Sequence, residues 1–141
     1  MTREDISARC DVIEQCYEFM LAFAGQGLSG REGTHTGGQL RDFLDRAVTA
    51  LTGLGDAFSA AVKDEKLQPA DRYLAFQSSV DRDASDSLAA IQLVLAQKTI
   101  SSQLIDNLNA SIHLRALLTD LFLIDEIFKP HPAESVPVIE D

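Results

Sequence analysis

The segment GQGLSGREGTHTGG, at residues 25–38, contains six of the eight glycines in the chain and is a candidate phosphate-binding loop. Such loops bind phosphate when a strand precedes them and a Gly-Lys-Ser/Thr sequence leads into a helix. Here Gly30 is followed by Arg31, and the residues before the segment have helical periodicity. The sequence therefore predicts a flexible connection between two helices, in which Arg31 and His35 are candidates for contact with an anion or a partner.

A second possible chemistry is metal binding by acidic side chains near the middle of the predicted helices. Ferritin-like di-iron bundles take a Glu from each of two helices and a Glu-x-x-His motif from each of the other two. None of the four predicted helices contains that motif. Glu14 and Glu18, like Asp83 and Asp86, are rotated away from the apolar stripes of their helices, which favours a face exposed to water. We predict no metal and no cofactor, and a metal- or ligand-binding bundle that uses these acids and His113 is the alternative.

His113 also allows a phosphotransfer-like form of this alternative, since phosphotransfer histidines lie exposed on four-helix bundles. Their motif has Lys three residues and Gly four residues after the histidine, where this chain has Ala116 and Leu117. The spacing instead predicts a polar stripe that faces water. The residues that share this stripe with His113 are Asp106, Asn109 and Asp120.

The two cysteines are the remaining candidates for chemistry. Cys10 and Cys16 are six positions apart, so on one helix they point about 120° away from each other and cannot form a bridge within it. No His or Asn lies within helical reach of Cys16 to activate its thiol. We predict reduced cysteines in a cytoplasmic protein, and no catalytic residue.

The elements that position these residues are helices, because apolar residues recur at spacings of three and four and no run alternates with period two. The first helix shows the pattern with Ile6, Cys10, Ile13 and Met20 on one stripe. Similar lengths and short connections make neighbouring helices antiparallel. The sequence therefore predicts an all-α, up-down-up-down four-helix bundle over residues 1–130. Its helices are predicted at about residues 3–25, 38–67, 69–98 and 101–129.

Residues 131–141, HPAESVPVIED, contain two prolines and acidic residues and have no helical period. This composition predicts a disordered or flexible acidic tail. Its apolar residues Val136, Val138 and Ile139 are candidates for contact with a partner, to which the tail would bind as an extended peptide.

Two of the predicted helices have more apolar surface than one side of a bundle needs. The first carries a second apolar stripe beside the main one, and the fourth is apolar almost all round. A second subunit packed with twofold symmetry would cover this surplus, and a wide core covered by the tail is the alternative. We predict a homodimer through helices 1 and 4. The candidate interface residues are Val12, Cys16, Phe19, Phe23, Leu117, Leu121, Ile124 and Phe128.

The charge of the chain restricts its partners. The formal net charge is −10, and lysines and arginines never cluster beyond a pair, which argues against nucleic acid or an anionic membrane surface as a partner. No run approaches the roughly 20 apolar residues of a membrane span. We predict a non-enzymatic accessory, adaptor or regulatory protein that acts as a homodimer through protein–protein contacts.

Overall fold

The computed structural model describes residues 3–31 and 33–128, which form six helices and one two-stranded sheet. The helices are α1 (Arg3–Gly25), α2 (His35–Leu51), α3 (Leu54–Asp64), α4 (Ala70–Leu95), α5 (Ser102–Ala110) and α6 (Ile112–Phe128). The strands are β1 (Ser29–Arg31) and β2 (Thr99–Ser101). The fold is thus mostly helical, and α1 spans the residues of the first predicted helix.

The second predicted helix, residues 38–67, is two helices in the structure. Gly53 lies between α2 and α3 with a φ of +74°, a left-handed conformation that glycine adopts without a Cβ clash. The helix also begins three residues before its predicted start, because Thr34 caps it. The Thr34 hydroxyl accepts a hydrogen bond from the amide of Gly37 at 3.0 Å.

The fourth predicted helix, residues 101–129, is also divided, at Ser111. This residue ends α5 with an extended backbone, at a ψ of 145°. Its hydroxyl accepts a hydrogen bond from the amide of Leu114 at 3.2 Å, so Ser111 also caps the start of α6. Serine favours such caps over helix interiors because its side chain competes for backbone groups.

The glycine-rich segment contains a strand, whereas its sequence predicts only a flexible connection between helices. β1 pairs with β2 in antiparallel register, with Gly30 opposite Ile100 and Arg31 opposite Thr99. Ile100 is fully buried and fixes the pair to the core. The connection between α1 and α2 is therefore tied to the connection between α4 and α5.

Each helix contributes to one apolar core. α1 packs against α2 and α5, α4 packs against α3 and α6, and α2 also contacts α4. The largest fully buried side chains include Phe23 on α1, Leu44 on α2, Phe58 on α3 and Ile91 on α4. None of the helices in residues 3–31 and 33–128 has both the length and the apolar character to cross a membrane.

Two arginines hold the ends of neighbouring helices. The Arg41 guanidinium, on α2, donates to the carbonyls of Leu95 at 3.1 Å, Gln97 at 2.7 Å and Lys98 at 3.1 Å. Arg9 makes the equivalent contacts to the carbonyls that end α2. The last carbonyls of a helix have no partner within it, so these bonds satisfy them and fix how the helices pack.

Candidate interaction surface

The predicted dimer surface lies mostly inside one chain. Of its eight residues, Val12 and Phe19 are partly buried, and Phe19 stacks on Phe43 of α2 with ring centroids 4.4 Å apart. The other six lie in the core of their own chain, because α1 and α6 are both covered by neighbouring helices. These buried residues are Cys16, Phe23, Leu117, Leu121, Ile124 and Phe128.

Exposed apolar side chains are concentrated on α6 instead. Phe122 is 59% exposed, and Leu123 and Ile127 beside it are about half exposed. Side chains at spacings of three and four form a row that points away from the core, which we call the outer face of α6. Its members are Ile112, Arg115, Thr119, Phe122 and Glu126, all exposed.

A groove runs between the N-terminal half of α4 and the C-terminal half of α6, with a cavity volume of about 370 Å³. We call it the α4–α6 groove. Its lining is mostly apolar, and its polar groups are the Arg72 guanidinium and the Tyr73 hydroxyl. The lining residues are Phe58, Pro69, Arg72, Tyr73, Phe76, Leu123 and Ile127. The half-exposed side chains of Leu123 and Ile127 join the groove to the outer face of α6.

Aromatic packing holds the groove in shape. The ring of Phe58, on α3, meets Phe76 of α4 edge to face at 6.1 Å and 78°. It meets Phe128 of α6 in the same way, at 6.0 Å and 80°. Edge-to-face pairs stabilise aromatic clusters beyond the area that they bury. Three helices are therefore fixed around one ring, and the groove is a preformed depression.

The acidic residues considered for a metal site occupy separate places. Asp86 faces His113, with Oδ2 3.9 Å from Nδ1, and both side chains are half exposed. Glu14 lies near Asp125, and burial and the charge of Asp125 raise the pKa of Glu14. Within residues 3–31 and 33–128, no three His, Cys, Asp or Glu side chains are grouped so that they could hold a metal ion.

A carboxyl pair that helical periodicity does not indicate joins α4 and α6. Asp120 was predicted on a stripe facing water, but it is only 6% exposed, because this face of α6 packs against α4. Burial, a hydrogen bond with Asp83 and the charge of Asp83 raise the pKa of Asp120 to about 7. Its Oδ2 has no hydrogen-bond partner among residues 3–31 and 33–128. Asn109, predicted on the same stripe, is also buried, and its side chain makes no hydrogen bond within the described part of the chain.

Both thiols are buried and unpaired. Burial raises the pKa of Cys10 and of Cys16 to about 12, so each is a neutral thiol at physiological pH. A neutral thiol is a poor nucleophile, and these cysteines act in the structure as small apolar side chains.

The predicted partner-contact residues lie in two parts of the chain. Arg31 and His35 are exposed beside β1 and at the start of α2, and Arg31 lines a surface depression with Lys98. Their role in binding stays a prediction. Val136, Val138 and Ile139, together with the predicted tail at residues 131–141, lie outside the described residues.

Comparison with known proteins gives no match: no protein-family model fits the chain, and neither a curated protein nor a solved structure is similar to it.

Proposed function

We propose that this chain is a non-enzymatic accessory or regulatory protein that acts through protein–protein contact, and that it forms a homodimer through the outer face of α6. The observation that carries the proposal is the half-exposed Phe122 on this face, beside Leu123 and Ile127. Aromatic side chains anchor interfaces because they bury a large area at a low cost in conformational entropy. An exposed apolar patch of this kind marks a contact surface.

The architecture that presents this face is, in our interpretation, an up-down-up-down four-helix bundle. Its four antiparallel members are α1, the pair α2 and α3, α4, and the pair α5 and α6. The pairing of helices in the core supports this interpretation, since α1 and α4 each contact both divided members. In such a bundle each member has one side toward water, and on α6 that side carries the apolar patch.

The outer face of α6 is self-complementary, which makes a second copy the partner that we propose. In an antiparallel pair of α6 helices centred between positions 120 and 121, Arg115 lies opposite Glu126 of the second copy, and Thr119 lies opposite Phe122. Twofold symmetry repeats each contact. With a net charge of −10, two copies repel each other, and two Arg–Glu pairs at the contact offset part of that repulsion.

Substitution of Phe122→Asp is expected to raise the dimer dissociation constant by at least about 100-fold, because it removes the central anchor and adds like charges. Sedimentation velocity over a range of protein concentrations measures this change. Leu93→Asp is the matched control, since Leu93 on α4 is 68% exposed and lies outside the patch. A monomeric wild type, or equal dissociation constants for the two variants, would overturn the proposed dimer.

Charge reversal tests the register. Arg115→Glu and Glu126→Arg are each expected to weaken the dimer about tenfold, and the double variant is expected to recover most of the loss. The free energy of unfolding of each variant, measured alongside, separates this effect from a change within the chain. Additive losses in the double variant would exclude the antiparallel register.

A further inference from the structure

We propose that residues 134–141 of this chain bind in the α4–α6 groove of the same molecule. The groove is a built site: its lining comes from three helices whose aromatic rings hold one another in place. The half-exposed Leu123 and Ile127 form its open edge. The proposal concerns a surface next to the outer face of α6 and does not depend on the dimer.

The position where the described chain stops supports this occupant. α6 ends at Phe128, whose ring packs against Phe58, and Phe58 lines the groove. The described part of the chain therefore ends beside the groove. Residues 129–133 can span up to about 17 Å at roughly 3.3 Å per residue, which is enough to reverse direction and reach a site that begins at Ile127.

The chemistry of the segment fits the groove. The sequence ESVPVIED has three apolar residues, Val136, Val138 and Ile139, within four positions. Pro137 favours an extended backbone, and an extended peptide presents its side chains to a groove without forming a helix first. The apolar lining can bury these side chains, whereas burying a charged stretch of the same length would cost free energy.

Charge also favours binding of this segment in the α4–α6 groove. Acidic residues flank the apolar core of the segment, with Glu134 before it and Glu140 after it. A chain with a net charge of −10 repels such a segment over most of its surface. Arg72 is the charged group in the lining of the groove, and its guanidinium can pair with a carboxylate there.

Paramagnetic relaxation in the full-length chain tests the proposal directly. Ser135→Cys provides a nitroxide site within the segment, next to its apolar residues, and Cys10 and Cys16 stay unlabelled because both are buried. The label is expected to broaden the amide signals of Tyr73, Leu123 and Ile127 and to leave those of β1 unchanged. Absent or uniform broadening would overturn the proposal.

Two variants of the labelled chain make the test specific. Val138→Asp, which removes an apolar contact, is expected to lower the ratio of bound to free segment about tenfold and to reduce the broadening accordingly. Arg72→Glu is expected to reduce it similarly, with recovery when Glu134 and Glu140 are both replaced by Lys. Broadening that persists unchanged in both variants would show that the segment does not bind through these contacts.

A mixed sample distinguishes binding of the segment within its own molecule from binding to a second copy. Isotope-labelled protein without nitroxide is combined with nitroxide-labelled protein without isotope. Both proteins in this sample carry Phe122→Asp, so that the proposed dimer does not bring the label of one copy close to the groove of another. No broadening is then expected, because each segment fills its own groove. Broadening of the groove signals in this sample would mean that the segment binds in the groove of a second copy and would overturn the proposal. The dimer is measured separately through Phe122→Asp, so either proposal can fail alone.

Discussion

Replacing Gly37 with alanine is expected to lower the free energy of unfolding by about 3 kcal/mol, because the added methyl group would overlap the backbone of β1. The carbonyl oxygen of Arg31 occupies the space that a Cβ atom on Gly37 would need. The Thr34 hydroxyl holds both groups, since it accepts from the Gly37 amide and donates to the Arg31 carbonyl at 2.6 Å. A backbone carbonyl cannot rotate away as a side chain can, so α2 or β1 must move.

Gly38→Ala is the matched control for this substitution. Outside the neighbouring backbone of α2, no atom of the described residues lies within 4 Å of a Cβ atom built on Gly38, and the residue is exposed on the same helix. Alanine there is expected to raise the free energy of unfolding by about 0.5–1 kcal/mol, because it reduces the backbone entropy of the unfolded chain. Urea unfolding followed by circular dichroism compares the variants. Effects of the same sign and size would contradict the close approach of β1 to α2.

The helices were predictable because their apolar periodicity is long and regular. Ile6, Cys10, Ile13 and Met20 recur at helical spacing, and all four are buried in α1. The break at Gly53 also left a signal, since a glycine inside a helix costs about 1 kcal/mol relative to alanine. The sequence could not show that this cost is avoided by ending one helix there and starting another.

The strand pair was not predictable from local pattern. β1 and β2 have three residues each, too few to show an alternation of apolar and polar side chains. Their pairing joins segments about 70 positions apart, and it depends on the burial of Ile100 rather than on a turn. The glycines around Gly30 predicted a flexible connection because glycine is common both in flexible loops and where two backbones pack closely. Residue type alone does not distinguish these two cases.

The predicted interface shows that apolar periodicity alone does not locate a dimer surface. Periodicity identified the wide apolar arc of α1 correctly, but it does not distinguish a neighbouring helix from a second subunit. Phe19 stacks on Phe43 of the same chain, and Cys16 and Phe23 lie in its core. Phe122 belongs to a helix whose sequence is apolar on nearly all sides, so the sequence does not indicate which of its side chains are exposed. The packing of α6 in the structure shows this.

Replacing Asp120 with asparagine is expected to stabilise the protein above pH 7 and to flatten its stability between pH 4 and pH 7. The pKa of Asp120 is raised from 3.8 to about 7 by burial, then by the hydrogen bond and the charge of Asp83. A group with a higher pKa in the folded state contributes stability that is fully present below pH 3.8. That contribution is lost as the pH rises through about 7.

The size of the gain follows from the same pair. An asparagine side chain has nearly the same shape, and its amide can donate to Asp83 as the protonated carboxyl does. The expected gain at pH 8 is about 2 kcal/mol, roughly half of what the full pKa difference would give, since Asp83 is only partly buried and water screens it. Near pH 4 the wild type and the variant should have nearly equal free energies of unfolding.

Two controls separate the buried pair from the general effect of removing negative charge. Asp106→Asn removes the same charge from an exposed position on α5, so any gain from lower net repulsion appears there without the pH slope. Asp83→Asn is expected to keep part of the slope, because burial is the larger cause of the raised pKa and persists in that variant. Urea unfolding at intervals from pH 4 to pH 8.5 measures all three.

The difference between wild type and Asp120→Asn isolates one carboxyl group from others that titrate in this range. Glu14, whose pKa is also raised, contributes a slope of the same sign, but it is present in both proteins and cancels. If the difference is independent of pH, Asp120 is ionised in the folded protein throughout, and the packing of α6 against α4 must then let water reach its carboxylate. If Asp83→Asn alone removes the whole slope, the charge of Asp83 rather than burial holds the proton on Asp120.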